Sequence, residues 1–385
     1  MARQTCICAL QLLVLVAGFV LTGCGSPPAA SPRTDPVHYH IFCLEGTGAQ
    51  GVTCDPGERQ AHYNAFIKEA RPQSTFTIWQ IGTERSRSRR FFSVCTPDRW
   101  GKQVMKAKAD FIQKAREGAG GRTAQSEPAG CPPPGAAQGT TKLVVFPDAS
   151  PIATDVWQAI SAGSPASGPA PAVLNSALVC DKSDSTQGVS CTTPVLLGLF
   201  DKWITESLLV PQSSLSVEMV GPLRDALHPF YQLTVPQLPL GQLVAHVLAA
   251  RSEFSRLFAG PQQQYGSTIA EAISAAVRRL RERRRGAYRL IILSDMQQIT
   301  PGIWAFEKSL PPPQNFIWWL KYTGLAPDLK GVQVLVCGVP TGHFGQNSAS
   351  YGSRLADLWR QVFQAMGAAP GDTKWFSSCE AALTS

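Results

Sequence analysis

Cysteine is the residue type with the most chemistry to offer in this 385-residue chain, which carries eleven of them. Cys6 and Cys8 lie at the head of an apolar run reaching Leu21, and Cys24 follows the small residue Gly23. The other eight, Cys43, Cys54, Cys95, Cys131, Cys180, Cys191, Cys337 and Cys379, are spread through the remainder. An even set without Cys-x-x-Cys or Cys/His metal spacing points to disulfides in an exported protein. Cys180 and Cys191 flank a loop of Ser, Asp, Gly and Thr that closes easily, and they are expected to pair. Cys43 and Cys337 sit inside apolar strand-like runs, where a bridge and a buried thiol packed as a small hydrophobe both fit. The six histidines make no metal-spaced helical pair, and His38 and His40 alternate along a strand entry. The Gly-x-Ser-x-Gly, His-Glu-x-x-His and Gly-x-x-x-x-Gly-Lys patterns are absent from the sequence. A binding or scaffolding module is therefore expected rather than an enzyme, with a periplasmic hydrolase of unrecognised active site as the rival class.

The N-terminal segment has the order of an export signal. Arg3 precedes an apolar run from Ile7 to Leu21 broken only by Gln11. That run is shorter than the roughly 20 residues a bilayer span requires, and the Pro/Ser/Ala stretch from Ser26 to Pro32 reads as an extended tether. Leu21-Thr22-Gly23-Cys24 resembles the lipobox of bacterial lipoproteins. The resemblance implies that residues 1–23 are removed as a signal peptide, that Cys24 receives diacylglycerol and an N-linked acyl chain such as palmitate, and that residues 24–37 tether the protein to a membrane. Gly25 and Ser26 lack the Asp of an inner-membrane retention signal, so the expected address in a Gram-negative host is the outer membrane facing the periplasm. The net charge of +8 is too dilute for nucleic-acid binding; the partner is expected to be an envelope protein or polymer. The densest basic stretch, Arg278–Arg285, reads as a solvated helix end, with contact to anionic lipid head groups as the alternative.

The elements that would position these residues follow from periodicity. His38–Leu44 reads as a buried strand. A helix follows, with Asp55 and Glu58 as its N-cap pair, Pro56 at its first position and Tyr63, Phe66 and Ile67 on one face. Residues 75–81 and 90–95 form a hairpin, and 98–117 recur at helical spacing. From Gly118 to about Leu240 the pattern degrades into Gly/Pro/Ser-rich stretches around a strand at Lys142–Phe146 and a helix at 194–208, which reads as an insertion. Helices at 243–258 and from Thr268, a strand at Arg289–Ser294, a strand at Val332–Val339, a helix through Leu355–Met366 and a short strand at Lys374–Ser377 complete the chain. No internal repeat is apparent.

This order is that of a doubly wound α/β sheet, mostly parallel, with one antiparallel edge strand. Residues 38–118 and 241–378 resemble a von Willebrand factor A-type domain, giving a domain of 38–118 plus 241–385 interrupted by an insertion at 119–240. That family holds a divalent cation with Asp-x-Ser-x-Ser after the first strand, a Thr at a later helix start and an Asp after the fourth strand. The resemblance places Glu45 at the first Asp, Thr47 and Ala49 at the two Ser positions, Thr268 at the Thr and Asp295 at the last Asp. Ala49 supplies no ligand and Mg²⁺ tolerates poor geometry badly, so Mg²⁺ or Ca²⁺ is expected to bind weakly or not at all. A second Asp-x-Ser, Asp148-Ala149-Ser150, reads as a turn.

Overall fold

The computed structural model describes residues 35–46, 53–96, 139–146, 152, 157, 160, 172–182, 191–220, 229–259, 268–283, 285–300, 303–306, 309–339, 348–376 and 378–379. The export signal, Cys24, the 98–117 helix, Thr47, Ala49, Asp148 and Ser150 lie outside this set. No helix among the described residues is long and apolar enough to cross a membrane.

Among the described residues the strands form two large sheets and one two-stranded hairpin. The first contains β1 (Val37–Leu44), β2 (Thr75–Ile81), β3 (Arg89–Cys95) and β4 (Thr140–Val145) in the order β3-β2-β1-β4. Strand β1 is parallel to both neighbours and β3 is the antiparallel edge. Helix α1 (Pro56–Glu69) crosses from β1 to β2. Asp55 caps it by accepting from the Gly57 and Glu58 amides at 2.7 and 3.1 Å, as the N-cap pattern predicts.

The second sheet contains β5 (Leu174–Cys180), β6 (Ser214–Met219), β7 (Tyr231–Thr234), β8 (Ala287–Leu293), β11 (Val332–Cys337) and β12 (Thr373–Phe376). Its order is β12-β11-β8-β5-β6-β7, parallel throughout except for the edge strand β7. Helices α2 (Thr193–Ser207) and α3 (Leu240–Ala259) cover one face, while α4 (Ile269–Glu282), α5 (Pro313–Tyr322) and α6 (Ser348–Ala365) cover the other. A small hairpin, β9 (Ile299–Thr300) with β10 (Trp304–Ala305), follows β8. The fold is doubly wound α/β, mostly parallel with antiparallel edges.

Alternation of side chains along the strands sets the layers. Tyr39, Ile41 and Cys43 of β1 face outward onto Tyr63 and Phe66 of α1. Phe42, with Trp79 and Ile81 of β2, faces inward and shares a core with Phe200 of α2, Leu248 and Phe254 of α3 and Leu178 and Leu215 of the second sheet. Helix α3 is the hinge of this packing: Gly241 abuts the His40 ring, and Glu253 pairs with Arg85 in the β2–β3 turn at 2.7 Å. The chain reaches this helix from Thr234 of β7, which pairs with Ser214 at the start of β6, and near the helix end the Phe258 carbonyl accepts from Thr193 beyond the C-terminal end of β5 at 2.9 Å. Both sheets therefore point their strand C-termini to the same end of the molecule.

The domain boundaries expected from sequence need correction. Strands β5, β6 and β7 and helix α2 occupy the supposed 119–240 insertion, and β5 is the central strand of the second sheet, buried at every position. Strand β1 pairs with β2 and β4 and not with β8. Residues 38–96 and 241–376 thus belong to different sheets.

The two sheets are copies of one plan. Both run strand, helix, strand, antiparallel strand, then a strand returning to the other side of the first, in spatial order 3-2-1-4. Each central strand ends in a disulfide-closed loop, Cys43–Cys54 and Cys180–Cys191, each with sequence separation 11. Those loops end in Gln50-Gly51-Val52-Thr53-Cys54 and Gln187-Gly188-Val189-Ser190-Cys191. Before the second strands, Pro72-Gln73-Ser74 and Pro211-Gln212-Ser213 make the same turn, with left-handed Gln73 (φ 64) and Gln212 (φ 74). Ser74 Oγ accepts from the Val37 amide at 2.8 Å and Ser213 Oγ from the Leu174 amide at 3.0 Å. From within each fourth strand onward the sequence reads Lys142-Leu-Val-Val-Phe-Pro-Asp148 and Arg289-Leu-Ile-Ile-Leu-Ser-Asp295, with Pro147 and Asp148 outside the described residues. This is the internal repeat that the sequence alone did not disclose.

Candidate functional site

The disulfide frame aligns the two first loops without ambiguity. In the second copy, the residues after Cys180 are Asp181-Lys182-Ser183-Asp184-Ser185; in the first, those after Cys43 are Leu44-Glu45-Gly46-Thr47-Gly48. Leu44, Gly46 and Gly48 therefore stand where the second copy has Asp181, Ser183 and Ser185. Glu45 is exposed at the end of the first sheet, its amide donating to the Ile81 carbonyl at 2.8 Å. It stands at the end of the first sheet while Asp295 follows β8 of the second, so the expected grouping of Glu45 with Thr268 and Asp295 at the ends of one sheet is corrected; Thr47 lies outside the described residues. The residue at the end of the strand paired with β8, at the same strand end as Asp295, is Asp181. Sequence reading missed it because β5, Leu174-Asn-Ser-Ala-Leu-Val-Cys180, is too polar to announce a central strand.

Asp181 directly follows β5, and Ser294 and Asp295 directly follow β8, the strand paired with it. The Asp181 amide donates to the Leu293 carbonyl at 2.9 Å, and its Oδ2 accepts from Ser294 Oγ at 2.8 Å. Ser294 Oγ in turn accepts from the Met296 amide at 2.9 Å. Asp295 Oδ1 accepts from the Gln297 amide at 3.0 Å in a turn that puts Met296 at φ 63. The carbonyl of Met296 is held by Trp359 Nε1 of α6 at 2.9 Å. Both carboxylates are buried, Asp181 at 0% and Asp295 at 3% exposure.

Helix α4 brings its N-terminus to the same edge. Thr268 occupies the N-cap position, yet its side chain makes no capping bond. The first turn is satisfied by Gln298 instead, whose Oε1 accepts from the Ala270 amide at 2.8 Å. Gln298 Nε2 donates to Glu271 Oε2 at 3.0 Å and Thr300 Oγ1 at 2.7 Å. Burial pushes the Glu271 carboxyl above its ordinary value, partly offset by that Gln298 bond. Lys182, next in sequence to Asp181, donates from Nζ to the Phe258 carbonyl at 3.4 Å and lies 5.6 Å from the Phe258 ring centre.

Such a donor set has a definite chemical preference. It is all oxygen and combines two carboxylates with hydroxyls; no cluster of three or more His, Cys, Asp or Glu side chains suited to a metal occurs among the described residues. Oxygen ligands at low charge suit a hard cation that keeps part of its water shell, as Mg²⁺ does, in preference to zinc or copper. Ser183 and Ser185, in the loop closed by the Cys180–Cys191 bridge, lie outside the described residues. That bridge, with Cα atoms 5.7 Å apart, forms as expected. Cys43 and Cys337, for which two states fitted the sequence, are both bridged, to Cys54 and Cys379.

No protein-family model and no curated protein matches the chain. Among solved structures it is similar to proximal thread matrix protein 1 from the mussel byssus, at 11% identity over 91% of this chain and 93% of that one, with a TM-score of 0.30. It is also similar to the pilus adhesin SpaC from Lactobacillus rhamnosus GG in an open conformation, at 13% identity over 55% of this chain and 29% of that one, with a TM-score of 0.32. The fold assignment rests on strand order and register.

Proposed function

We propose that this protein is a lipid-anchored binding module of the bacterial envelope, working through a von Willebrand factor A-like unit built on β5–β8, β11 and β12. In this reading Asp181, Ser183, Ser185, Thr268 and Asp295 hold a divalent cation, Mg²⁺ by preference, at the strand C-termini. The bound cation, ligated by few charges, stays electrophilic and completes its coordination with a carboxylate of the partner protein or polymer. The protein's own residues do the positioning. Ser294 fixes the Asp181 carboxylate, the Asp295–Gln297 turn fixes the second carboxylate, and Gln298 satisfies the start of α4 next to Thr268.

The observation that carries this reading is the convergence of Asp181, Asp295 and Thr268 on one strand-end edge, next to an intact Asp-Lys-Ser-Asp-Ser sequence. The weak binding expected from Ala49 belonged to the first copy, where Leu44, Gly46 and Gly48 replace the ligands. Division of labour follows: the second copy recognises, and the first, tied to it through α3, serves as a rigid stalk leading to the tether. Crosslinking in cells followed by purification under Mg²⁺ is the test. The account expects a partner that is retained by the parent chain and lost with chelator or in Asp181→Ala. Equal capture by parent and variant, with or without chelator, would overturn it.

A further inference from the structure

The end of the molecule opposite the metal-binding edge carries a surface with its own chemistry. Topology places the C-termini of α4, α5 and α6 there, because each leads into the N-terminal end of a parallel strand. Arg281 near the end of α4 ties this region together, donating to the carbonyls of Asp328 and Lys330 just before β11. On the last turns of α5, Phe316, Trp319 and Leu320 point into the core, while Trp318 and Tyr322 point out. They are the two most exposed large apolar side chains among the described residues, at 63% and 76%, and their rings stack at 4.9 Å and 11°. Lys321 is exposed beside them on α5, and Arg278, Arg285 and Lys330 are exposed on the segments that reach the same end of the molecule. The exposed acids on these segments are Glu282 and Asp328, the latter paired with Arg281 at 3.5 Å.

The chain enters at this same end. Pro36 and Val37 open β1 beside Thr140 and Ser74, at the N-terminal edge of the first sheet, and both sheets point the same way. Residues 24–34 separate Cys24 from the described structure, a reach of at most about 40 Å fully extended. A lipid on Cys24 would hold this end, and not the metal-binding edge, against the bilayer.

We propose that the Trp318–Tyr322 face, with Arg278, Arg285, Lys321 and Lys330, docks on an anionic phospholipid surface and sets the protein upright on its membrane. Tyr and Trp rings, apolar in body and polar at the tip, settle at the head-group level. The cations add long-range attraction to phosphatidylglycerol-type head groups. The orientation rests on lipidation of Cys24, but the affinity of the face does not, so the two can fail separately. The test uses residues 25–385, which retain every described residue and lack both leader and lipid. Cosedimentation is measured with phosphatidylcholine vesicles with and without phosphatidylglycerol. Expected is binding that requires the anionic lipid, weakens as salt shortens the screening length, and drops about fivefold for each of Arg278→Gln and Lys321→Gln. Trp318→Ala with Tyr322→Ala should weaken it similarly; all four side chains are exposed, so the fold tolerates the changes. No binding, equal binding to both vesicle types, unaltered binding by these variants, or preference for peptidoglycan sacculi over vesicles would overturn the proposal. Membrane fractionation of Cys24→Ala reports the anchor independently.

Discussion

Histidine 40 sits at the joint between the two copies, and its titration should loosen that joint. Its Nδ1 accepts from Trp79 Nε1 at 3.1 Å, and Gly241 of α3 lies so close that a Cβ there would come within 2.6 Å of the ring. Burial, with a smaller contribution from His38, pushes its pKa down from 6.5 to about 4. A histidine lowered on folding favours the native state fully above its unfolded pKa and withdraws that stability as pH falls toward the folded one. At about 1.4 kcal/mol per unit, going from roughly pH 7 to pH 4.5 should remove about 2 kcal/mol through this residue alone. Protonated Nδ1 also ceases to accept the Trp79 bond. Burial lowers His62 and His246 in the same sense, so the total acid sensitivity exceeds the share of His40. The measurement is urea unfolding at the two pH values for the parent and for His40→Gln, which keeps an acceptor and cannot titrate; His62 and His246 cancel in the comparison. The parent should lose about 2 kcal/mol more than the variant. Identical pH dependence in both would refute the reasoning.

Other expectations concern the repeated devices of the fold. Gly286→Ala should cost about 2 kcal/mol or more by urea unfolding, since φ is 111 and the added carbon would lie 2.3 Å from the Val173 carbonyl oxygen; Gly371→Ala, with open space around it, should be near neutral. Replacing both Cys180 and Cys191 by Ser should lower stability by about 3 kcal/mol in a comparison of unfolding midpoints, and peptide mapping without reductant should recover the two cysteines linked. Cys24→Ala should move the protein from the membrane fraction to the soluble one.

The sequence carried most of the local structure and misled about how it assembles, for a reason visible in particular residues. The strand at 38–44, the Asp55-capped helix and the 75–95 hairpin stand where periodicity predicts them, as do the strands at 289–293 and 332–337. They come from two copies of one plan, so the front of the first and the back of the second read together as a single complete sheet. What would have separated them is β5, in which Asn175 and Ser176 interrupt the apolar run. Asn175 is tolerated in the centre of a sheet because its amide donates to the Arg285 carbonyl at 2.9 Å and accepts from Ser214 Oγ at 2.8 Å, partners supplied by distant segments. Thr268 and Asp295 were legible because each lies beside a strongly periodic element. Asp181 was not, although the paired Gln-Gly-Val-Thr-Cys54 and Gln-Gly-Val-Ser-Cys191 endings could have revealed the duplication and, with it, the aspartate after Cys180.

Whether Asp181 and Asp295 hold a divalent cation is decided by calorimetric titration of Mg²⁺, Mn²⁺ and Ca²⁺ into the parent chain, Asp181→Ala, Asp295→Ala and Glu45→Ala. The account predicts saturable binding of one divalent ion by the parent, abolished in Asp181→Ala and in Asp295→Ala and unchanged in Glu45→Ala. Binding that survives Asp181→Ala, or that is lost in Glu45→Ala, or that is absent from the parent for all three ions, would contradict it.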